Sequence, residues 1–221
     1  MSVAFWKIIS TPEEFFRGLE ANPSWGYYFF SITVLEISFT SLQVLLSFPY
    51  MQSLQLKEIF INGAGLIMLI CVRNTFIWFL VSLALYCLLM AISRIKTFSL
   101  AKCTAIVVAS NIIACASLIF SIVIGYARII LSIANVFEPT KIFSLSAIFF
   151  FPMSGVLRYV LDRVNIFNVW YVILLAKGVH VISPMKVIKS YCIATLVFMF
   201  ELLLRWVLLD LFVSMPSLIL K

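Results

Sequence analysis

The sequence predicts an all-α membrane protein: a polytopic bundle of five transmembrane helices, six if one ambiguous segment also spans, preceded by an amphipathic helix at the headgroup level. Three observations predict it. Hydrophobic residues make up 64% of the 221 residues and charged ones 11%, where about 25% charged is ordinary for a soluble domain. Mean hydropathy is +1.14, and so few charges cannot cover a water-exposed surface. Second, runs such as Thr75–Ile92 and Cys103–Ala127 carry no charge at all, which suits helices crossing lipid. Third, the alternating strands and Gly-rich turns of a barrel are absent, with Gly at seven residues, and lipid tolerates no other open backbone. A soluble enzyme, a disordered chain and a nucleic-acid-binding domain are thereby excluded.

Ser10-Thr11-Pro12-Glu13-Glu14-Phe15-Phe16 reads as a helix start. Thr11 suits the N-cap, Pro12 the first helical position, and Glu14 completes a capping box. Phe15, Phe16 and Leu19 form an apolar face opposed by Glu13, Arg17 and Glu20, so this helix is expected beside Phe5 and Trp6 at the headgroups. Residues 1–24 are read as this cytoplasmic or interfacial segment and residues 25–221 as the membrane domain. No cleavable signal peptide is recognised, since Glu13, Glu14 and Glu20 fall where an apolar core would lie.

The first span runs from Trp25 to Ser47, opened by the aromatic belt of Trp25, Tyr27 and Tyr28 and closed by Phe48-Pro49-Tyr50. Gln52–Glu58 reads as a loop. Ile59–Val72 is too short to span alone and is either an extension of the next helix or a re-entrant piece. The second span covers Asn74–Ser93, followed by the basic turn Arg94-Ile95-Lys96. The third runs from Leu100 to Tyr126, with Lys102 near its entry and Asn111 inside. Ile142–Leu157, containing Pro152 and Gly155, is a re-entrant pair or a short sixth span. The fourth span covers Asn165–Val181 and meets a basic turn, Lys177-Gly178-Val179-His180. The fifth runs from Val187 to Val213.

Charge sets the orientation. Lys7, Arg17, Arg94, Lys96, Lys102, Lys177, Lys186 and Lys189 crowd compact segments on one side, while the other side spreads its basic residues among acids. By the positive-inside rule the N-terminus is cytoplasmic, and the net charge of +7 reflects topology, not nucleic-acid affinity. The lipid bilayer, other membrane proteins or further copies of the chain are the expected partners.

Three stretches together resemble the Yip-domain family, named for Ypt-interacting membrane proteins: Ile9-Ser10-Thr11-Pro12-Glu13-Glu14-Phe15-Phe16-Arg17, the basic turn leading into Thr97-Phe98, and Phe167-Asn168-Val169-Trp170-Tyr171 followed by Gly178-Val179-His180 and Ser183-Pro184-Met185-Lys186-Val187. The opening is similar to prokaryotic members, which implies the inner membrane of a prokaryote as the location. The resemblance implies five spans, a cytoplasmic N-terminus, and a non-enzymatic protein that works through membrane-protein or lipid interactions.

Chemistry-bearing residues are few. The five cysteines, odd in number and in apolar stretches, form no C-x-x-C pair, and one histidine cannot complete a metal site. His180 is expected as a solvated turn residue. No nucleophile–base pairing, P-loop or dinucleotide turn is present, so neither catalysis nor a cofactor is expected. Polar groups inside lipid are costly, and each marks a candidate site. They are Glu36 mid-way along the first span, Asn111 in the third, and Glu201 with Arg205, four residues apart on one face of the fifth. Each also has a structural reading, as a hydrogen-bonded neutral acid or an internal ion pair. The leading expectation is a non-enzymatic membrane protein of Yip-like type. The alternative is a small-solute or ion transporter, channel or transporter subunit with a polar route around Glu36, to which Arg73 would contribute.

Overall fold

The computed structural model describes residues 3–21, 25–47, 56–92, 98–130, 161–162, 164–183 and 185–219. Eight helices are described: α1 (Val3–Ser10), α2 (Pro12–Ala21), α3 (Trp25–Ser47), α4 (Leu56–Ile92), α5 (Leu100–Ser110), α6 (Ile112–Ile130), α7 (Ile166–Ile182) and α8 (Val187–Ile219). Among the described residues there is no β-strand. Three stretches among the described residues, Cys71–Ile92, Leu100–Ile124 and Val187–Leu208, are long and apolar enough to cross a membrane, and Ile166–Ile182 is apolar but shorter.

The core is built around α5. Every side chain from Ala105 to Asn111 is buried, because α5 is packed by α3, α4, α7 and α2 together. Small and β-branched residues (Ala105, Val107, Val108, Ala109, Ser110) permit that close approach from all sides. Helix α8 closes the bundle by packing on α7 and α4. The outward faces carry large apolar side chains such as Phe30, Phe76, Ile188 and Leu203, as expected where the surrounding solvent is hydrocarbon.

Two local starts follow from their sequences. Ser99 caps α5, its hydroxyl accepting from the Lys102 N–H at 3.3 Å, and Asn165 caps α7, accepting from the Asn168 N–H at 2.9 Å. The N-terminal pair α1–α2 lies at the end of the bundle where α5 begins and α7 finishes. Pro12 opens α2 as expected, and Phe15, Phe16 and Leu19 are buried. That apolar face is covered by protein, not left for headgroups: Phe15 meets Tyr28 edge-on at 5.3 Å, and the Phe16 ring lies over Gly178.

Two expectations need correction, the loop at Gln52–Glu58 and the turn at Lys177–His180. Ile59–Val72 is the extension of the next helix, the first of its two expected readings, and not re-entrant: α4 begins at Leu56, inside the expected loop, and runs unbroken to Ile92. The third span stands as one stretch long and apolar enough to cross, Leu100–Ile124, within which α5 and α6 meet at a one-residue turn on Asn111. Its amide donates to both Val107 O (3.2 Å) and Val108 O (3.1 Å), and Ala114 N–H donates to Asn111 O at 2.9 Å. The Asn111 Nδ2 meanwhile donates to Val107 O at 2.9 Å, so a side chain competes in the i→i−4 ladder and tightens it locally. Lys177–His180 is not a turn but the last part of α7. His180, half-buried there, has Nδ1 3.1 Å from the Met185 carbonyl oxygen. The segment 142–157 lies outside the described residues.

Gly178 shows why that stretch carries a glycine. A Cβ there would stand 2.5 Å from Ile106 Cγ2 and 3.3 Å from Phe16 Cε1. The glycine therefore lets α7 approach α5 and α2, a packing role in place of the turn expected of it.

Candidate functional site

The four polar residues singled out by the sequence sit at comparable depth. Glu36 is eleven residues into α3, Asn111 eleven beyond the start of α5, and Glu201 fourteen into α8. At 1.5 Å per residue these are about 16 to 21 Å from the helix starts. Antiparallel α4 and α7 bring two further polar side chains to that level, Asn74 and Tyr171.

The contacts join these groups in two sets. In the first, Asn74 Nδ2 donates to Glu36 Oε2 at 2.9 Å, tying α3 to α4 across 38 residues of sequence. In the second, the Tyr171 hydroxyl donates to Glu201 Oε2 at 2.7 Å, and Arg205 Nε and Nη2 donate to Glu201 Oε1 at 2.8 and 2.6 Å. Both Glu201 oxygens are thus occupied by charge-assisted bonds, and its side chain is 6% exposed. The Asn111 side chain also bonds the Tyr171 phenol, which joins the α5–α6 turn to this second set. The two sets feel each other: Glu36 interacts electrostatically with Arg205, Arg73 and Glu201.

All four predicted residues therefore belong to one polar cluster at the level where α5 ends. Arg73 stands at its edge, Nη2 3.4 Å from Asn74 Oδ1. Sequence reasoning missed Asn74 and Tyr171 as members. Asn74 was read with Arg73 as a helix boundary, although a polar residue inside an apolar run is itself the signal. Tyr171 was hidden among the aromatic residues of its segment, and its partner lies 30 residues on, beyond any local spacing pattern.

Between Glu36 and the end of the bundle where α3 begins, two more polar atoms are buried. Phe29, Thr33 and Glu36 recur at i, i+4 and i+7, one stripe of α3. Phe29 packs edge-on against Trp78 with ring centroids 5.7 Å apart, while Glu36 meets Asn74. The seam between the stripes thus contains Thr33 Oγ1 and Trp78 Nε1, both buried without a hydrogen-bond partner. Trp78 is 2% exposed.

The remaining reactive groups do not converge. All five cysteines are free, with Cys103 and Cys115 buried. Among the described residues no three His, Cys, Asp or Glu side chains come together. Outside the membrane-crossing stretches, Glu13 on α2 forms an ion pair with Lys177 on α7. The hydrogen bond and charge of Lys177 hold the Glu13 carboxyl below the ordinary carboxylate range.

Comparison with known proteins finds no matching family model, no matching curated protein and no matching solved structure.

Proposed function

We propose that the chain is a five-span integral membrane protein with a cytoplasmic N-terminus, and that the polar cluster around Glu36 is its working site, in a small transporter or transporter subunit for a cation or small polar solute. One observation carries this reading. Six polar or charged side chains from four helices (α3, α4, α7 and α8) and the α5–α6 turn converge at mid-depth, where each is costly to bury. Purely structural pairing needs two residues at a time; a convergent set offers a route or a binding position. The first span is α3, and α7, too short to cross upright, would be the fourth. The other proposed spans are α4, the α5–α6 pair and α8. The test is flux in liposomes containing the purified chain: cation or proton movement that Glu36→Gln abolishes supports the reading, and wild-type liposomes as tight as empty ones overturn it.

A second reading follows from the resemblance to Yip-domain proteins: a non-enzymatic membrane protein of the prokaryotic inner membrane acting through other membrane proteins or lipid. It is favoured by the pairing within the cluster, since Glu36–Asn74 and Glu201–Tyr171 clamp helices together. Here Glu36→Gln leaves the membrane tight, and a tagged chain recovers a stable partner from solubilised membranes. Repeated recovery of the chain alone counts against it.

A further inference from the structure

The two acids of the cluster are held differently. Glu201 has both oxygens taken, by an arginine and by a phenol. Glu36 is held at one oxygen, Oε2, by a neutral carboxamide. Along the same seam lie Thr33 Oγ1 and Trp78 Nε1, buried and unpartnered. A buried polar atom without a partner is rare and asks for one. An indole N–H donates and cannot ligate a cation, whereas a hydroxyl donates or accepts. A species that partners Trp78 and Thr33 along the seam and hands a proton to Glu36 must therefore accept from the indole and give to the carboxylate, as water does.

From these groups we infer that the α3–α4 seam is a proton-loading site, in which Glu36 takes up a proton delivered through water held by Thr33 and Trp78. In loading, hydronium gives its proton to Glu36 Oε1 and leaves as water; in discharge the proton returns to water and the carboxylate is restored. Asn74 positions the carboxyl throughout, through Oε2. The groups around Glu36 are Arg73 and Cys71 on α4, Cys115 on α6, and Arg205 and Glu201 on α8. The buried stretch of α5 from Ala105 to Asn111 carries no titratable side chain. Arg205 is engaged by Glu201, so Glu36 is the acid left to exchange. This inference names the substrate of the transport reading and rests on it for its purpose, but not for its measurement.

Dicyclohexylcarbodiimide, which enters lipid and reacts with protonated carboxyls, is the probe. The full chain is treated in phosphatidylcholine vesicles across a pH series, and the modified residue is located by mass spectrometry. Expected are modification at Glu36 and none at Glu201, a rate falling about tenfold per pH unit on the alkaline limb as one-proton loading requires, and no effect of Na⁺ at fixed pH. Protection by Na⁺, a pH-independent rate, or an unmodified Glu36 at every pH overturns the inference. The role of the seam is read separately, from the infrared band of the protonated carboxyl on transfer to D₂O. The near-isosteric Thr33→Val slows that band's shift severalfold, and an unchanged shift removes Thr33 from the path. Modification without flux retires the transport reading and keeps the proton site; flux without modification does the reverse.

Discussion

Glu201 illustrates what burying an acid requires. Arg205 answers its charge from the next turn of the same helix, and Tyr171 adds a hydrogen bond from α7. Removing one partner of such a pair leaves an uncompensated charge, which costs about 3–5 kcal/mol, while replacing both by apolar groups is often nearly neutral. Arg205→Met is therefore expected to lower the unfolding midpoint in detergent sharply, and Glu201→Met/Arg205→Met to restore most of it. Tyr171→Phe removes the hydroxyl that Glu201 and Asn111 share and should cost about 1–3 kcal/mol. A double variant no better than Arg205→Met alone would mean the two residues act independently. The i,i+4 pair was legible in the sequence because spacing alone puts both residues on one face. Tyr171 and Asn74 were not, because cross-helix partners carry no spacing signal and become visible when helices are assembled.

At the scale of the element, Asn111 and Gly178 show local chemistry overriding apolar pattern. The run from Leu100 to Tyr126 reads as one span, and within it the Asn111 amide side chain bonds the Val107 carbonyl and a one-residue turn separates α5 from α6. Gly178 reads as a turn beside Lys177 and His180, yet it sits within α7 at a contact too close for a Cβ. Both features have one cause: whether a polar or small residue ends a helix depends on what lies across from it. Gly178→Ala is expected to destabilise by about 1–3 kcal/mol through overpacking against Ile106. Ile106→Ala in the same chain should recover part of the loss, since it removes the Cγ2 that the new methyl meets. Thermal unfolding of the four proteins of that cycle measures the coupling, and strict additivity would exclude the steric explanation.

For the whole molecule, α2 is docked across the end of the bundle by the buried Phe16 and by Glu13–Lys177. Since the Glu13 carboxyl lies below its ordinary range in the folded chain, its contribution to docking is present above the ordinary carboxylate value. It is lost as pH falls through the lowered one. Hydrogen exchange in the α2 amides should rise across that acidic interval in the wild type. It should be flat there in Lys177→Met, and salt should weaken the wild-type protection, because both side chains are partly exposed. Equal pH profiles in the two proteins would show that the ion pair adds nothing. The docking also collects Lys7, Arg17, Lys102, Lys177, Lys186 and Lys189 at one end of the bundle. In spheroplasts, single cysteines at Ser99 and Lys186 should share the N-terminus's inaccessibility to an impermeant thiol reagent; labelling of either from outside would reverse the proposed orientation. The membrane class and helix positions were legible from apolar runs and charge placement. The docking of α2 was not, because an amphipathic face looks the same whether lipid or protein covers it.

The central position of α5 also bears on how the chain is made. Synthesis runs from the N-terminus, so α5 leaves the ribosome before α7 and α8, two of the helices that close the bundle around it. Until they arrive, Ser110 and Asn111 face either lipid or the insertion machinery, while Glu36 already has Asn74. The last charges to enter, Glu201 and Arg205, come as a ready-made pair on one helix. A ribosome stalled after α6 should therefore hold a chain whose α3–α4 tie is formed but whose α5 is still shielded by the insertase, and release should coincide with the emergence of α8.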